Sequence, residues 1–373
     1  MNEQNAIHNL YGSLRHEGGS GTLATVVRTT GSTYRRPGAR MLLAQDGRSA
    51  GLISGGCLEN DLREQSAKAL DQDVPFLLTY DASSPADVLW GLGLGCTGIA
   101  QVLLERVPTG EDRDPVRFMD TCNVLGCSGV IATVYHVSGE SPLRVGDHAF
   151  MRSGFWSPGR IPSGSIASHV QSRSASVLET HTSEHARIET AEGAAEALIE
   201  YIPAPTRLLV FGAGPDAIPV VRLAKDLGWH VSVIDGRDAF LTPEAFPSAD
   251  ALVSVHPDDI ADRIGIPPDA VAVVMTHNFN HDAALVRSLM DSPAAFIGLL
   301  GPRSKTDLLL NRLSEDGFVP TESQLGRLHN PVGLDLGAET PEEIALSIIA
   351  EIQAVLHGRA GTALRLRQGP IHR

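Results

Sequence analysis

The stretch RLLVFGAGPDAIPVVRLAKDLGWHVSVIDGRD, Arg207 to Asp238, decides the fold of the second half of the chain. An apolar run from Leu208 to Phe211 reads as a buried strand and ends at Gly212-Ala213-Gly214-Pro215-Asp216-Ala217. Ile218, Val221, Leu223, Ala224 and Leu227 then recur at helical spacing, and a second apolar run, Val231 to Ile234, closes on Asp235. Strand, glycine turn, helix, strand and a terminal acid form the dinucleotide-binding βαβ fingerprint. In that pattern Gly212 makes the tight turn, Gly214 lets a pyrophosphate approach the helix N-terminus, and Ala217 permits close helix–strand packing. Asp235 is the expected acceptor for the ribose hydroxyls of NAD, whereas Arg237 is placed to meet the 2′-phosphate of NADP. A Rossmann scaffold that holds another nucleotide-bearing ligand, or none, stays open at this point.

Outward from this unit, strand-like runs at Val271–Met275 and Ala295–Leu299 alternate with helix-length segments, which predicts a doubly wound parallel sheet. Met275-Thr276-His277-Asn278-Phe279-Asn280-His281-Asp282 follows one of these strands and brings two imidazoles and a carboxylate to the ligand-binding edge. His277 and His281 would suit a metal only on a helix. Asn-Phe-Asn between them reads as a loop, so ligand contact by His277 is expected and metal ligation is not. Gly298-Leu299-Leu300-Gly301-Pro302-Arg303-Ser304-Lys305 opens the next helix, with Arg303 and Lys305 placed for an anionic group.

The first half has a different texture. Short β-branched runs separated by glycine turns, such as Thr22–Val27 and Ile131–Tyr135, predict an α+β domain. The fold expected is therefore α/β, a C-terminal Rossmann-like doubly wound parallel sheet (203–373) joined to an N-terminal α+β domain (1–202). A Ser/Gly/Pro-rich segment near 153–183 shows no clear periodicity and is expected to be flexible. Gly21–Leu43 echoes Gly129–Met151 at an offset of 108 residues. Two similar strand–turn–strand units in one sheet are the expected explanation, ahead of a duplication, since hairpins share turn chemistry.

Two thiols stand among glycines. Cys57, in Ser54-Gly55-Gly56-Cys57-Leu58-Glu59, lies near the N-terminus of an expected helix, a setting that stabilises a thiolate. Cys96, in Gly93-Leu94-Gly95-Cys96-Thr97-Gly98, sits where the backbone is free to approach a ligand. Both are candidate catalytic thiols, although small buried cysteines are common. Cys122 and Cys127 have no such setting. A redox pair or half of a metal site would suit their spacing, but two unreactive thiols are the expectation.

Composition narrows the function classes. The 373 residues include 30 Lys and Arg against 44 Asp and Glu, a formal charge of −14 that repels nucleic acid. No apolar run approaches the ~20 residues of a spanning helix, and no secretory signal is evident, so a cytoplasmic protein without membrane or nucleic-acid partners is expected. Four widely spaced cysteines fit a reducing compartment. A homodimer is the expectation from symmetry statistics.

The motifs together resemble the XdhC/CoxI family, accessory factors of molybdenum hydroxylases such as xanthine dehydrogenase. The likeness is carried by GSTYRRPGARM (Gly31–Met41), SGGCLE (Ser54–Glu59), GLGCTG (Gly93–Gly98), the Rossmann entry with DGR (Asp235–Arg237), IGLLGPRSK (Ile297–Lys305) and HNPVGLDLGAETPEEIALSIIAEI (His329–Ile352). The resemblance implies a chaperone that binds and protects the molybdenum cofactor. It also implies cooperation with a cysteine desulfurase in sulfuration, and delivery to an apo molybdenum hydroxylase. Cys57 or Cys96 would contact molybdenum or sulfur, and the edge formed by Gly212, Gly214, Ala217, Asp235, Arg237, His277, Arg303 and Lys305 would hold the phosphate or nucleotide. An NAD(P)-dependent oxidoreductase is the main alternative.

Overall fold

The computed structural model describes residues 3–56, 58–72, 74–81, 98–108, 114–190 and 192–368. The chain divides into two units, Asn2–Pro205 and Thr206–Arg373.

The N-terminal unit is built twice from one pattern. The first copy runs α1 (Glu3–Glu17), β1 (Gly21–Thr30), β2 (Arg40–Ala44), β3 (Ser49–Gly51), α2 (Glu59–Gln72), β4 (Phe76–Asp81) and β5 (Ile99–Val107). The second runs α3 (Pro115–Leu125), β6 (Gly129–Glu140), β7 (His148–Arg152), β8 (Phe155–Ser157), α4 (Ser165–Thr180), β9 (Glu184–Glu189) and β10 (Glu192–Ile202). Each copy forms its own five-stranded antiparallel sheet, in the orders β3-β2-β1-β5-β4 and β8-β7-β6-β10-β9. Even the registers match: Gly21 faces Ala44 and Gly129 faces Arg152, both shifted by 108. The β1–β5 ladder skips Val27 and the β6–β10 ladder skips Tyr135, so the bulge recurs at the same place. The echo in the sequence is therefore a repeated unit spanning two sheets, not two hairpins in one.

The copies differ in one connection. Phe76 faces Leu104 where Glu184 faces Ile199, offsets of 108 and 95, so the β4–β5 connection is 13 residues longer than β9–β10. Cys96 falls in that longer segment, outside the described residues.

Reciprocal contacts join the copies. Arg40 on β2 pairs with Glu200 on β10, both buried, and His148 on β7 pairs with Glu105 on β5 at 2.6 Å, also buried. Arg40 and His148 are equivalent positions, as are Glu200 and Glu105, so each copy gives the other what it receives. This is the arrangement of a two-fold interface. Val27, Leu103, Tyr135 and Leu198, two equivalent pairs, make one small apolar cluster on the same join.

The segment expected to be aperiodic, 153–183, instead contains α4, which buries Val170, Ser174 and Val177. Their i, i+4, i+7 spacing is a helical stripe, hidden in the sequence because a serine occupies one of its three places.

The C-terminal unit holds β11 (Arg207–Phe211), α5 (Ala217–Asp226), β12 (His230–Asp235), β13 (Ala251–Ser254), β14 (Val271–Val274), α6 (Phe279–Asp291), β15 (Phe296–Leu299), α7 (Arg303–Glu315), β16 (Leu328–His329) and α8 (Pro341–Leu356). All pairings are parallel, in the order β13-β12-β11-β14-β15-β16. This is the Rossmann order, with its switch point between β11 and β14. Alternation along β11 divides the core: Leu208 and Val210 pack with α5 and α8, Leu209 and Phe211 with α6 and α7. Thr340 and Glu343 form a capping box ahead of α8, with Pro341 in its first turn.

Candidate functional site

Three strand ends at the switch point supply the site of the C-terminal unit. Gly212 lies at φ +120°, and a Cβ there would stand 2.5 Å from the Met275 carbonyl oxygen, so the turn after β11 lies against the end of β14. Ala217 is fully buried at the start of α5, matching its packing role. Gly214 differs from its expected use. A Cβ on it would meet the Asp216 carboxylate at 2.5 Å, so an acid rather than open space lies beside the turn. Asp216 Oδ2 is 2.7 Å from His277 Nε2.

His277 follows β14 at φ +56°, a left-handed conformation uncommon for residues other than glycine. Such strain costs roughly 1–3 kcal/mol and collects at functional sites. Its ring is largely exposed, at 62% of the side chain, so the Asp216–His277 pair faces solvent at the sheet edge. The expected loop through Asn278 and Asn280 is not there. The Asn278 side chain caps α6 by accepting from Asn280 N and His281 N, and the helix starts at Phe279. Asparagine serves turns and caps equally well, so its presence alone does not separate the two. His281 stands in the first turn of α6, its ring edge-on to His256. Among the described residues no group of three or more His, Cys, Asp or Glu is arranged to hold a metal ion.

Asp235 and Arg237 meet each other. The carboxylate accepts from Ala213 N at 2.8 Å, Arg237 N at 2.9 Å, and Arg237 Nε and Nη2 at 2.9 and 2.7 Å. Burial pushes the Asp235 carboxyl up, but the hydrogen bonds from Arg237 and Ala213 outweigh it and hold it below the usual range. The guanidinium also lies 4.4 Å over the Phe240 ring. Beside them is a cleft of about 100 Å³ lined by Phe211, Ile234, Val255, Pro257, Thr276 and Leu285.

Lys305 is likewise committed. Its ammonium pairs with Asp282, which is fully buried, and donates to the Leu300 carbonyl at 3.0 Å. Asp282 also accepts from Thr276 Oγ1 at 2.6 Å. Lys305 thus ties α7 to α6, while Arg303 is exposed at the start of α7. Sequence reasoning alone misses Asp216 as a site residue. Its signal is an acid inside a glycine turn otherwise suited to an anion.

In the N-terminal unit, Cys57 lies outside the described residues, but its flanks are ordered by a polar clip. The buried Glu59 carboxylate accepts from Ser54 N at 2.7 Å and Ser54 Oγ at 2.6 Å, and Ser54 Oγ accepts from Leu58 N at 2.9 Å. In the second copy the places of Ser54, Cys57 and Glu59 fall to Pro162, Ser165 and Ala167. Gly56 at φ +109° and Gly164 at φ +100° nevertheless share a positive φ. The second copy carries no such clip, so the brace is particular to the copy that holds Cys57.

Glu59→Ala leaves the Ser54 amide without its acceptor and should cost about 1–3 kcal/mol in urea unfolding. Burial raises the Glu59 carboxyl, yet the Ser54 donors bring it below its ordinary value. The contribution is therefore present above roughly pH 4.3 and lost as the pH falls through the folded pKa. Equal stability of wild type and variant at pH 7 would show that the clip is not formed.

The fold defines a Rossmann-type α/β unit carried on one chain with a duplicated α+β unit. Residues 208–352 match the family model described as the XdhC Rossmann domain, and residues 14–81 match the XdhC and CoxI family. The chain is 33% identical over 345 residues to a Bacillus subtilis (strain 168) protein named as a probable subunit of xanthine dehydrogenase, covering 92% of this chain and 96% of the relative. It is 23% identical over 354 residues to Molybdenum cofactor insertion chaperone PaoD of Escherichia coli (strain K12), covering 93% and 87%. A crystal structure described as a xanthine dehydrogenase from Bacillus halodurans superposes with a TM-score of 0.75 at 29% identity, covering 96% of this chain and 98% of that one. The chain belongs to the XdhC and CoxI family, as the motifs from Gly31 to Ile352 imply.

Proposed function

We propose that this chain is an accessory factor that binds the molybdenum cofactor as cargo. In this reading it shelters the cofactor, supports its sulfuration with a cysteine desulfurase, and delivers it to a molybdenum hydroxylase of the xanthine dehydrogenase type. The observation that carries the reading is likeness along almost the whole chain to relatives named for xanthine dehydrogenase and for molybdenum cofactor insertion. The Ser54–Glu59 clip adds to it: the copy that keeps Cys57 also keeps a polar brace that its counterpart lacks. A soft thiolate from Cys57 or Cys96 in the N-terminal part (1–202) suits molybdenum or sulfur. The sheet edge of the C-terminal part (203–373), with exposed His277 and Arg303, suits the phosphate-bearing end of the cargo.

The rival reading, an NAD(P)-dependent oxidoreductase, fits less well. Asp235 is engaged by Arg237 where a ribose diol would need it, and the Asp216 carboxylate stands at the turn a pyrophosphate would approach. A carboxylate beside that turn repels a diphosphate there.

The test is anaerobic equilibrium binding of molybdenum cofactor, with NAD and NADP in parallel, to wild type and Cys57→Ser. The variant should bind the cofactor at least about tenfold more weakly, or ~1.4 kcal/mol, with unchanged circular dichroism. Equal affinity would remove Cys57 from the site. Binding of a nicotinamide dinucleotide alone would turn the assignment to a dehydrogenase.

A further inference from the structure

Cys122 and Cys127 belong to neither site. Cys122 is buried in the last turn of α3, and Cys127 follows the cap residue Gly126, at φ 60° and ψ 38°. Cys127 N donates to Cys122 O at 3.0 Å and Gly126 N to Asn123 O at 3.1 Å. These are the two bonds of a Schellman cap, which brings the side chain after the glycine back onto the last helical turn. Here both side chains are thiols, close enough that Cys127 raises the Cys122 pKa.

The first copy shows what the cap itself requires. At the equivalent end of α1, Gly19 N donates to Leu14 O at 2.8 Å, with Gly18 at φ +67°. Leu14 and Gly19 occupy the places of Cys122 and Cys127, so the cap forms without sulfur. A Cβ built on Gly19 would lie 3.9 Å from Leu14 Cα. The residue after the cap glycine therefore stands against the last helical turn, and in the second copy the same cap holds Cys127 beside Cys122.

We propose that Cys122 and Cys127 form a dithiol site that low-molecular-weight disulfides oxidise reversibly to an intramolecular disulfide. Cys127, only partly buried, attacks one sulfur of the small disulfide and releases one thiol, leaving a mixed disulfide. The Cys122 sulfur then displaces the second thiol. The protein loses two electrons and two protons, and one small disulfide becomes two thiols. Burial, then the neighbouring Cys127, pushes the Cys122 thiol up to about 12, so Cys127 attacks first, and its conversion to the mixed disulfide removes its share of that shift before Cys122 attacks in turn. The bond would lock the end of α3 next to β6, where a Cβ on Gly129 would already stand 2.7 Å from Cys122 Sγ.

The experiment uses full-length protein equilibrated with oxidised or reduced glutathione, alkylated with iodoacetamide and digested with trypsin. One tryptic peptide, Phe118–Arg144, holds both cysteines and no other. After oxidation it should appear unalkylated and two hydrogens lighter, and it should return to the doubly alkylated form after dithiothreitol. A peptide that stays doubly alkylated, retains glutathione, or links to Cys57 or Cys96 overturns the proposal. The double variant Cys122→Leu, Cys127→Gly restores the pair of the first copy and should show no such mass change. The wild-type peptide decides the matter even if that variant fails to fold.

Discussion

Arg40→Ala should lower the stability of the N-terminal unit by about 3–5 kcal/mol, the usual cost of breaking a buried ion pair from one side. Arg40 and Glu200 have side chains only 7% and 9% exposed. Arg40 Nη1 donates to Glu200 Oε1 at 2.8 Å and to Gly38 O at 2.9 Å, and Nη2 reaches the other carboxylate oxygen. The space around the carboxylate is full, since a Cβ on Gly38 would stand 2.5 Å from Glu200 Oε1. Removing the guanidinium therefore strands a buried carboxylate without its partner. Replacing both partners, as Arg40→Met with Glu200→Leu, removes the stranded charge and should recover most of the loss. Hydrogen exchange across β2 and β10 at rising urea reads this unit separately from the other. A loss under about 1 kcal/mol, typical of exposed pairs, would show that water reaches the pair.

Gly212→Ala should be the most damaging small substitution in the C-terminal unit. The residue combines φ +120° with a Cβ position 2.5 Å from Met275 O and 2.8 Å from Met275 C. Strained backbone and overpacking each cost roughly 1–3 kcal/mol, giving about 2–6 together. Gly214→Ala provides the contrast. Its new Cβ meets the end of the Asp216 side chain, which is able to swing away, so the fold should survive while Asp216 leaves His277. Thermal unfolding should separate the two variants by several degrees, with Gly212→Ala the lower, and in Gly214→Ala the His277 ring signals should shift as Asp216 leaves them with little loss of stability. Equal melting of the two would mean that the β11 turn relaxes away from β14.

The same two glycines show how far the sequence can be read. Their spacing correctly announces the turn and the helix after it, because strand, turn and helix are local patterns. Which group fills the space beside Gly214 is set by Asp216 and His277, 61 positions apart. Asp235 and Arg237, rivals for a ribose or its phosphate in the sequence, are partners of each other in the fold. Lys305, an anion ligand by its place in the sequence, is held by Asp282. An isolated charge names no partner, since several groups of opposite sign compete for it and packing chooses.

By itself the sequence determined the Rossmann-like doubly wound parallel sheet of the second half, the α+β character of the first, the family, and the echo at 108 residues. Hydrophobic periodicity, turn chemistry and motif spacing all act within tens of residues, so these features can be read along the chain. Only the tertiary structure decided that the echo is a whole repeated unit, that α4 lies within a serine-rich segment, and that Arg40–Glu200 and His148–Glu105 are reciprocal. Those pairs lie 160 and 43 residues apart. Their formation depends on two sheets burying the same surface, a condition no local pattern records.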